Sequence, residues 1–190
     1  WALSSFHDAT SPDDLRADTR SLVYQTAIKY DQSIETYEKL LRWHNTTTIP
    51  GEQMPLAAAL CGIDSKPLLE RSLDLVSINE VRLQDARFWI AFALLNRTQK
   101  QIAWEWVQRN WQWIGDNYGQ EKELDYFLRY SANGFADENH LRSYTAFFES
   151  VDIYGSERAF EQGKETIRWQ TAWKERDAQI VKEWLKKFSM

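Results

Sequence analysis

Only seven glycines and four prolines punctuate the 190 residues, and Leu, Ala, Glu, Lys, Arg and Gln fill long stretches between them. A many-stranded sheet needs turn residues at short intervals, so this punctuation points to an all-α fold. The run from Ala103 to Trp113 shows the pattern at its densest, with four indoles in a few helical turns. Trp104, Val107, Trp111 and Ile114 recur at the spacing of one helix face, while Glu105, Gln108, Arg109 and Gln112 fall elsewhere. That stripe reads as packing, not as a reaction centre.

Local signals divide the chain into helices joined by short turns. Ser11-Pro12-Asp13-Asp14 offers an N-cap, a first-turn proline and two acids, which predicts a helix running from there to about Lys29. Further helices are expected over Ser33 to Trp43, Gln53 to Cys61, Lys66 to Val76 and Arg82 to Leu95. The tryptophan helix follows, from beyond Asn96-Arg97-Thr98 to about Asn117. Glu121 to Ala132 and Asp137 to Ser150 read as a hairpin around Asn133-Gly134-Phe135. Ser156 heads a helix to about Lys174, and Asp177 to Phe188 ends the chain. The expected architecture is a single domain over residues 1–190 of stacked antiparallel helical hairpins, a HEAT-like α-solenoid without a strict sequence repeat.

A formal charge of −5 argues against a nucleic-acid partner, since phosphate neutralisation requires clustered Lys and Arg. The basic cluster Lys182, Lys186 and Lys187 lies at the end of a helix, where the macrodipole accounts for it. The one cysteine, Cys61, sits among alanines and leucine as a small core residue, suiting a reducing, cytoplasmic setting. No stretch is apolar enough to span a membrane, so no membrane partner is expected. Trp1-Ala2-Leu3-Ser4-Ser5-Phe6 reads as part of a helix without its own cap, as in a piece of a longer polypeptide. Asn45-Thr46-Thr47 and Asn96-Arg97-Thr98 match glycosylation triplets, a pattern common by chance.

Residues for independent chemistry are missing. His7, His44 and His140 lack the spacing of a His-Glu-x-x-His zinc helix, Cys61 has no partner, and no nucleophile elbow or glycine-rich phosphate loop occurs. No catalytic and no metal-ligating residue is therefore assigned. One constellation stands out: in Val81-Arg82-Leu83-Gln84-Asp85-Ala86-Arg87, Arg82, Gln84 and Asp85 crowd the start of an otherwise apolar helix. Backbone N–H groups at such an end, with a guanidinium beside them, suit a carboxylate or a peptide backbone. A capping and salt-bridge cluster between hairpins explains the same residues.

Ala93-Leu94-Leu95-Asn96, Ala103-Trp104-Glu105-Trp106-Val107 and Asn110-Trp111 together resemble the C-terminal helical domain of the M1 family of zinc aminopeptidases, the aminopeptidase N type. Val81-Arg82 with Gln84-Asp85 is similar to the family's Val-Arg-x-Gln-Asp, and Gly134-Phe135 to its Gly-Phe turn. Phe147-Phe148, Glu157-Arg158, Glu165-Thr166-Ile167, Trp173 and Trp184-Leu185 follow in family order, so the likeness runs from about Asp13 to Lys187. Asn96-Arg97-Thr98-Gln99-Lys100 departs from it, standing where many members have Asn-Pro and a glycine turn. The resemblance implies a HEAT-like superhelix that packs over the catalytic domain of the same polypeptide and closes the peptide chamber. It implies no cofactor in this chain, zinc in the parent enzyme, and Arg82, Gln84 and Asp85 facing the peptide substrate. A free-standing HEAT-like adaptor is the alternative from another class, and an autonomous hydrolase using acid pairs is a weaker one.

Overall fold

The computed structural model describes residues 1–120 and 122–188, with Pro50 described by its backbone alone. Among them are eleven α-helices, one 3-10 turn and no strand. In chain order the helices are α1 (Ala2–Asp8), α2 (Arg20–Tyr30), α3 (Ile34–Thr46), α4 (Pro50–Cys61), α5 (Lys66–Ser77) and α6 (Leu83–Leu94). They continue as α7 (Lys100–Arg109), α8 (Trp111–Tyr118), α9 (Leu124–Ala132), α10 (Glu138–Ser150) and α11 (Glu157–Lys186). None is long and apolar enough to cross a membrane. The chain forms two compact units, Trp1–Asn110 and Trp111–Met190.

In the first unit α4 is the hub, packing on α2, α3, α5 and α6. Its composition explains this: Leu56, Ala57, Ala59, Leu60 and Cys61 are fully buried, and the alanines let neighbouring backbones come close. Helices two apart in chain order pack together, α2 on α4, α4 on α6 and α5 on α7. Asn96 ties the α6–α7 turn to the end of α4, donating from Nδ2 to the carbonyls of Cys61 and Ile63, both at 2.9 Å. Its Oδ1 accepts from the Thr98 and Gln99 amides. The missing Pro and Gly of this turn are thus replaced by a side-chain knot, and the buried Asn96 amide is not presented for a glycan.

In the second unit α11 packs on α9 and α10. Gly163 permits the contact with α10, for a Cβ there would lie 2.0 Å from the Tyr144 hydroxyl. That hydroxyl donates to the Leu128 carbonyl at 3.1 Å, which fixes the ring. The Asn133-Gly134-Phe135 turn forms as expected, with Gly134 at φ 77°, a conformation natural to glycine. Its amide donates to Gln170 Oε1 at 3.1 Å.

Three expectations are corrected. The first helix does not start at the Ser-Pro-Asp-Asp signal. The Ser11 and Asp14 capping box does form, with Asp14 accepting from the Thr10 amide at 2.7 Å and the Ser11 amide at 2.9 Å, but it closes only the 3-10 turn Pro12–Asp14; Leu15 is extended (ψ 143°) and α2 starts at Arg20. The tryptophan helix is two helices, broken at Asn110, whose side chain donates to the Trp106 carbonyl at 2.9 Å. Trp104 and Val107 are therefore buried in the first unit, and Trp111 and Ile114 in the second. The last two expected helices are one, since Lys174-Glu175-Arg176 contains no residue that stops a helix. Beyond Thr171 this helix exposes Trp173, Ile180, Val181, Trp184 and Leu185. Glu121, expected to begin a helix, lies outside the described residues, and α9 starts at Leu124.

Candidate functional site

The polar corner at the start of α6 is built from α6, α4 and the end of α3. Arg82 takes the N-cap position with extended backbone (ψ 137°), and its carbonyl accepts from the Asp85 amide at 2.8 Å and the Ala86 amide at 3.0 Å. Asp85 is the acid of the first turn, where the macrodipole favours a carboxylate. Arg82 donates to its Oδ2 through Nε at 2.8 Å and also pairs through Nη2 at 2.7 Å. The same Nη2 donates to Gln53 Oε1 on α4, and Gln53 Nε2 donates to the Thr47 carbonyl at 3.3 Å. The guanidinium is thus held from two helices, yet the side chain stays 53% exposed while Asp85 is 17% exposed. An exposed, pre-oriented guanidinium has donor directions left for a carbonyl or carboxylate.

Of the three residues singled out from sequence, the structure brings Arg82 and Asp85 together. Gln84 is exposed on the outer side of the same turn and makes no hydrogen bond among the described residues. Spacing along one helix could not reveal the contributions of Gln53 and His44. His44, in the last turn of α3, sets its ring edge-on to Trp89 at 5.1 Å between centroids. Burial holds the imidazole below its usual 6.5, with the Asn45 hydrogen bond and Asp85 pulling up and Arg82 pushing down. Trp89 is fully buried, and its Nε1 has no hydrogen-bond partner among the described residues.

A second arginine knot lies one residue away along α4. Arg20 pairs with Glu52 at 2.9 Å and Asp13 at 3.0 Å, and donates to the Leu15 carbonyl at 3.1 Å. Tyr24 donates to Glu52 at 3.0 Å, and burial, then the Glu52 bond, push its phenol well above the usual range. Arg20 and Glu52 are only 13% and 14% exposed, so this knot has little surface to offer a ligand. Cys61 is fully buried, and desolvation raises its thiol pKa strongly, leaving it inert at neutral pH. Among the described residues, no three His, Cys, Asp or Glu side chains converge in an arrangement able to hold a metal ion.

The model of the ERAP1-like C-terminal domain matches residues 1–168. The chain belongs to that family. Relatives agree: it is 26% identical over 164 residues to Aminopeptidase M1 of Arabidopsis thaliana, covering 86% of this chain and 18% of that protein. It is 28% identical over 136 residues to Aminopeptidase N of Lactobacillus delbrueckii subsp. lactis, covering 71% and 16%. Human Glutamyl aminopeptidase is 26% identical over 172 residues, covering 90% and 18%. The ERAP1-like chain thus spans less than a fifth of the length of these three relatives. It is a C-terminal domain of the M1 aminopeptidase type, and the Arg82 corner lies inside the matched region.

Proposed function

We propose that these 190 residues work as one non-catalytic domain of a longer M1 zinc aminopeptidase that removes N-terminal residues from peptides. In this reading the domain is a HEAT-like stack that closes the active-site chamber, while the zinc and its ligands belong to the catalytic domain of the same polypeptide. The observation that carries it is the family match over residues 1–168 together with relatives several times longer, all with aminopeptidase names. The packing of helices two apart supports the stacked-hairpin description of the first unit. The apolar side chains exposed on the second half of α11 support a further part of the polypeptide as partner. The lone, buried Cys61 supports a cytoplasmic setting.

Within the chamber, Arg82 supplies a fixed cation and Gln84 an amide for the peptide downstream of the cleaved bond, with Asp85 holding the guanidinium in place. Such contacts position substrate and contribute no bond-breaking group. Replacing Arg82 and Gln84 together by Ala in the full-length enzyme is expected to raise KM about tenfold and to alter the preference among peptide lengths, with kcat nearly unchanged. A sharp drop in Tm with unchanged peptide kinetics would show the pair to be structural only.

A further inference from the structure

The first turn of α11 holds polar groups that find no partner among the described residues. Ser156 occupies the N-cap position and is only 5% exposed, yet its hydroxyl caps no amide of the helix and makes no other hydrogen bond among the described residues. Its backbone is accounted for, the amide donating to the Ile153 carbonyl at 2.9 Å and the carbonyl accepting from Phe160 at 3.0 Å. The amides of Glu157, Arg158 and Ala159 find no acceptor among the described residues, and Ala159 is completely buried. Orphaned donors are normal at a helix end only where water, a cap or a ligand reaches them.

A cavity of about 510 Å³ opens at this point, and Ser156 lines it together with Lys122, Asp125, Arg129, Arg158 and Gln162. Among the described residues three cations face one acid. Asp125 is engaged with Arg129 at 3.8 Å, whereas Lys122 and Arg158 form no ion pair among the described residues. Arg158 stands in the first turn of a 30-residue helix, the end at which the macrodipole disfavours a cation. The acid of that turn, Glu157, is exposed and does not line the cavity. Two cations without an ion pair among the described residues, an uncapping hydroxyl that opens on the cavity from a side chain otherwise buried, and free first-turn amides all suit one class of ligand.

We infer that the start of α11 is a binding site for a small oxyanion group, with the Ser156 hydroxyl and the free amides donating to its oxygens and Lys122, Arg129 and Arg158 balancing its charge. Phosphate and carboxylate share this chemistry. The site lies in the second unit, uses none of the residues of the α6 corner, and does not depend on the aminopeptidase reading.

The test is an amide-resolved NMR titration of the whole ¹⁵N-labelled chain with inorganic phosphate at constant ionic strength. Parallel arms use acetate, a peptide with a free C-terminus and the same peptide amidated. Saturable shifts confined to the turn around Glu157, Arg158 and Ala159 are expected, with phosphate alone or the carboxylate arms identifying the source. Ser156→Ala and, separately, Arg158→Gln should each weaken that binding about tenfold. The glutamine variant leaves the cap untouched and guards against a misfolded helix start. Shifts reproduced by chloride, no saturable shift in any arm, or full affinity in a folded Arg158→Gln chain would overturn the assignment.

Discussion

Asn96 shows how much one buried side chain can hold. It makes five hydrogen bonds, donating to Cys61 and Ile63 and accepting from both the amide and hydroxyl of Thr98 and the amide of Gln99. Asn96→Ala strands these groups, and the expected loss, read by urea unfolding, is about 2–4 kcal/mol. Its location explains why: the turn has no proline or glycine, so this side chain closes it. His44 carries the pH prediction. Its folded-state pKa lies below 6.5, so the unfolded chain binds the proton more readily. The stabilising contribution is complete above that value and is lost as pH falls through 6.5 towards the depressed folded pKa. Tm should therefore fall more steeply with acidification in the parent chain than in His44→Gln. Equal slopes would mean that the imidazole is not desolvated against Trp89. Neither residue advertised its role in sequence, because Asn96 reads as a loop asparagine and His44 as one of three scattered histidines.

Helix identity was legible where apolar spacing and turn residues agreed, and misread where side chains intervened. Of the stripe Ile34, Tyr37, Leu40 and Leu41 that spacing puts on one face of α3, the last three are buried while Ile34, in the first turn, is exposed, and Asp137 caps α10 by accepting from the His140 amide at 2.8 Å. The Ser11 to Asp14 cap formed but heads only a 3-10 turn, since the chain turns extended at Leu15, and Asn110 broke a helix that periodicity alone would continue. The close approach at Gly163 was equally invisible, since it depends on Tyr144 from another helix. Alanine normally stabilises a helix interior relative to glycine by about 0.5–1 kcal/mol. At Gly163 the sign should reverse: the Tyr144 ring is locked by its bond to Leu128, and Gly163→Ala should cost about 1–3 kcal/mol in chemical denaturation. A stabilised variant would show that α10 and α11 can separate at no cost.

Across the chain as a unit of function, sequence made the α6 corner visible but not its construction. Arg82 and Asp85 stand three residues apart on one helix turn, a spacing that local reasoning reaches. Gln53 comes from 29 residues away and His44 from another helix, and only the packing of α3, α4 and α6 unites them. The family likeness was legible because its motifs keep their order along the chain, and the match over residues 1–168 establishes it. The proposed division of labour assigns shape and substrate contact to this chain and hydrolysis to the remainder of the polypeptide. The decisive measurement is aminoacyl nitroanilide hydrolysis by the purified 190-residue chain, with helicity verified by circular dichroism, beside the full-length protein. A folded helical chain with no turnover, beside an active full-length enzyme, is expected. Turnover by the isolated chain, proportional to its concentration and abolished by Asp85→Asn, would contradict it.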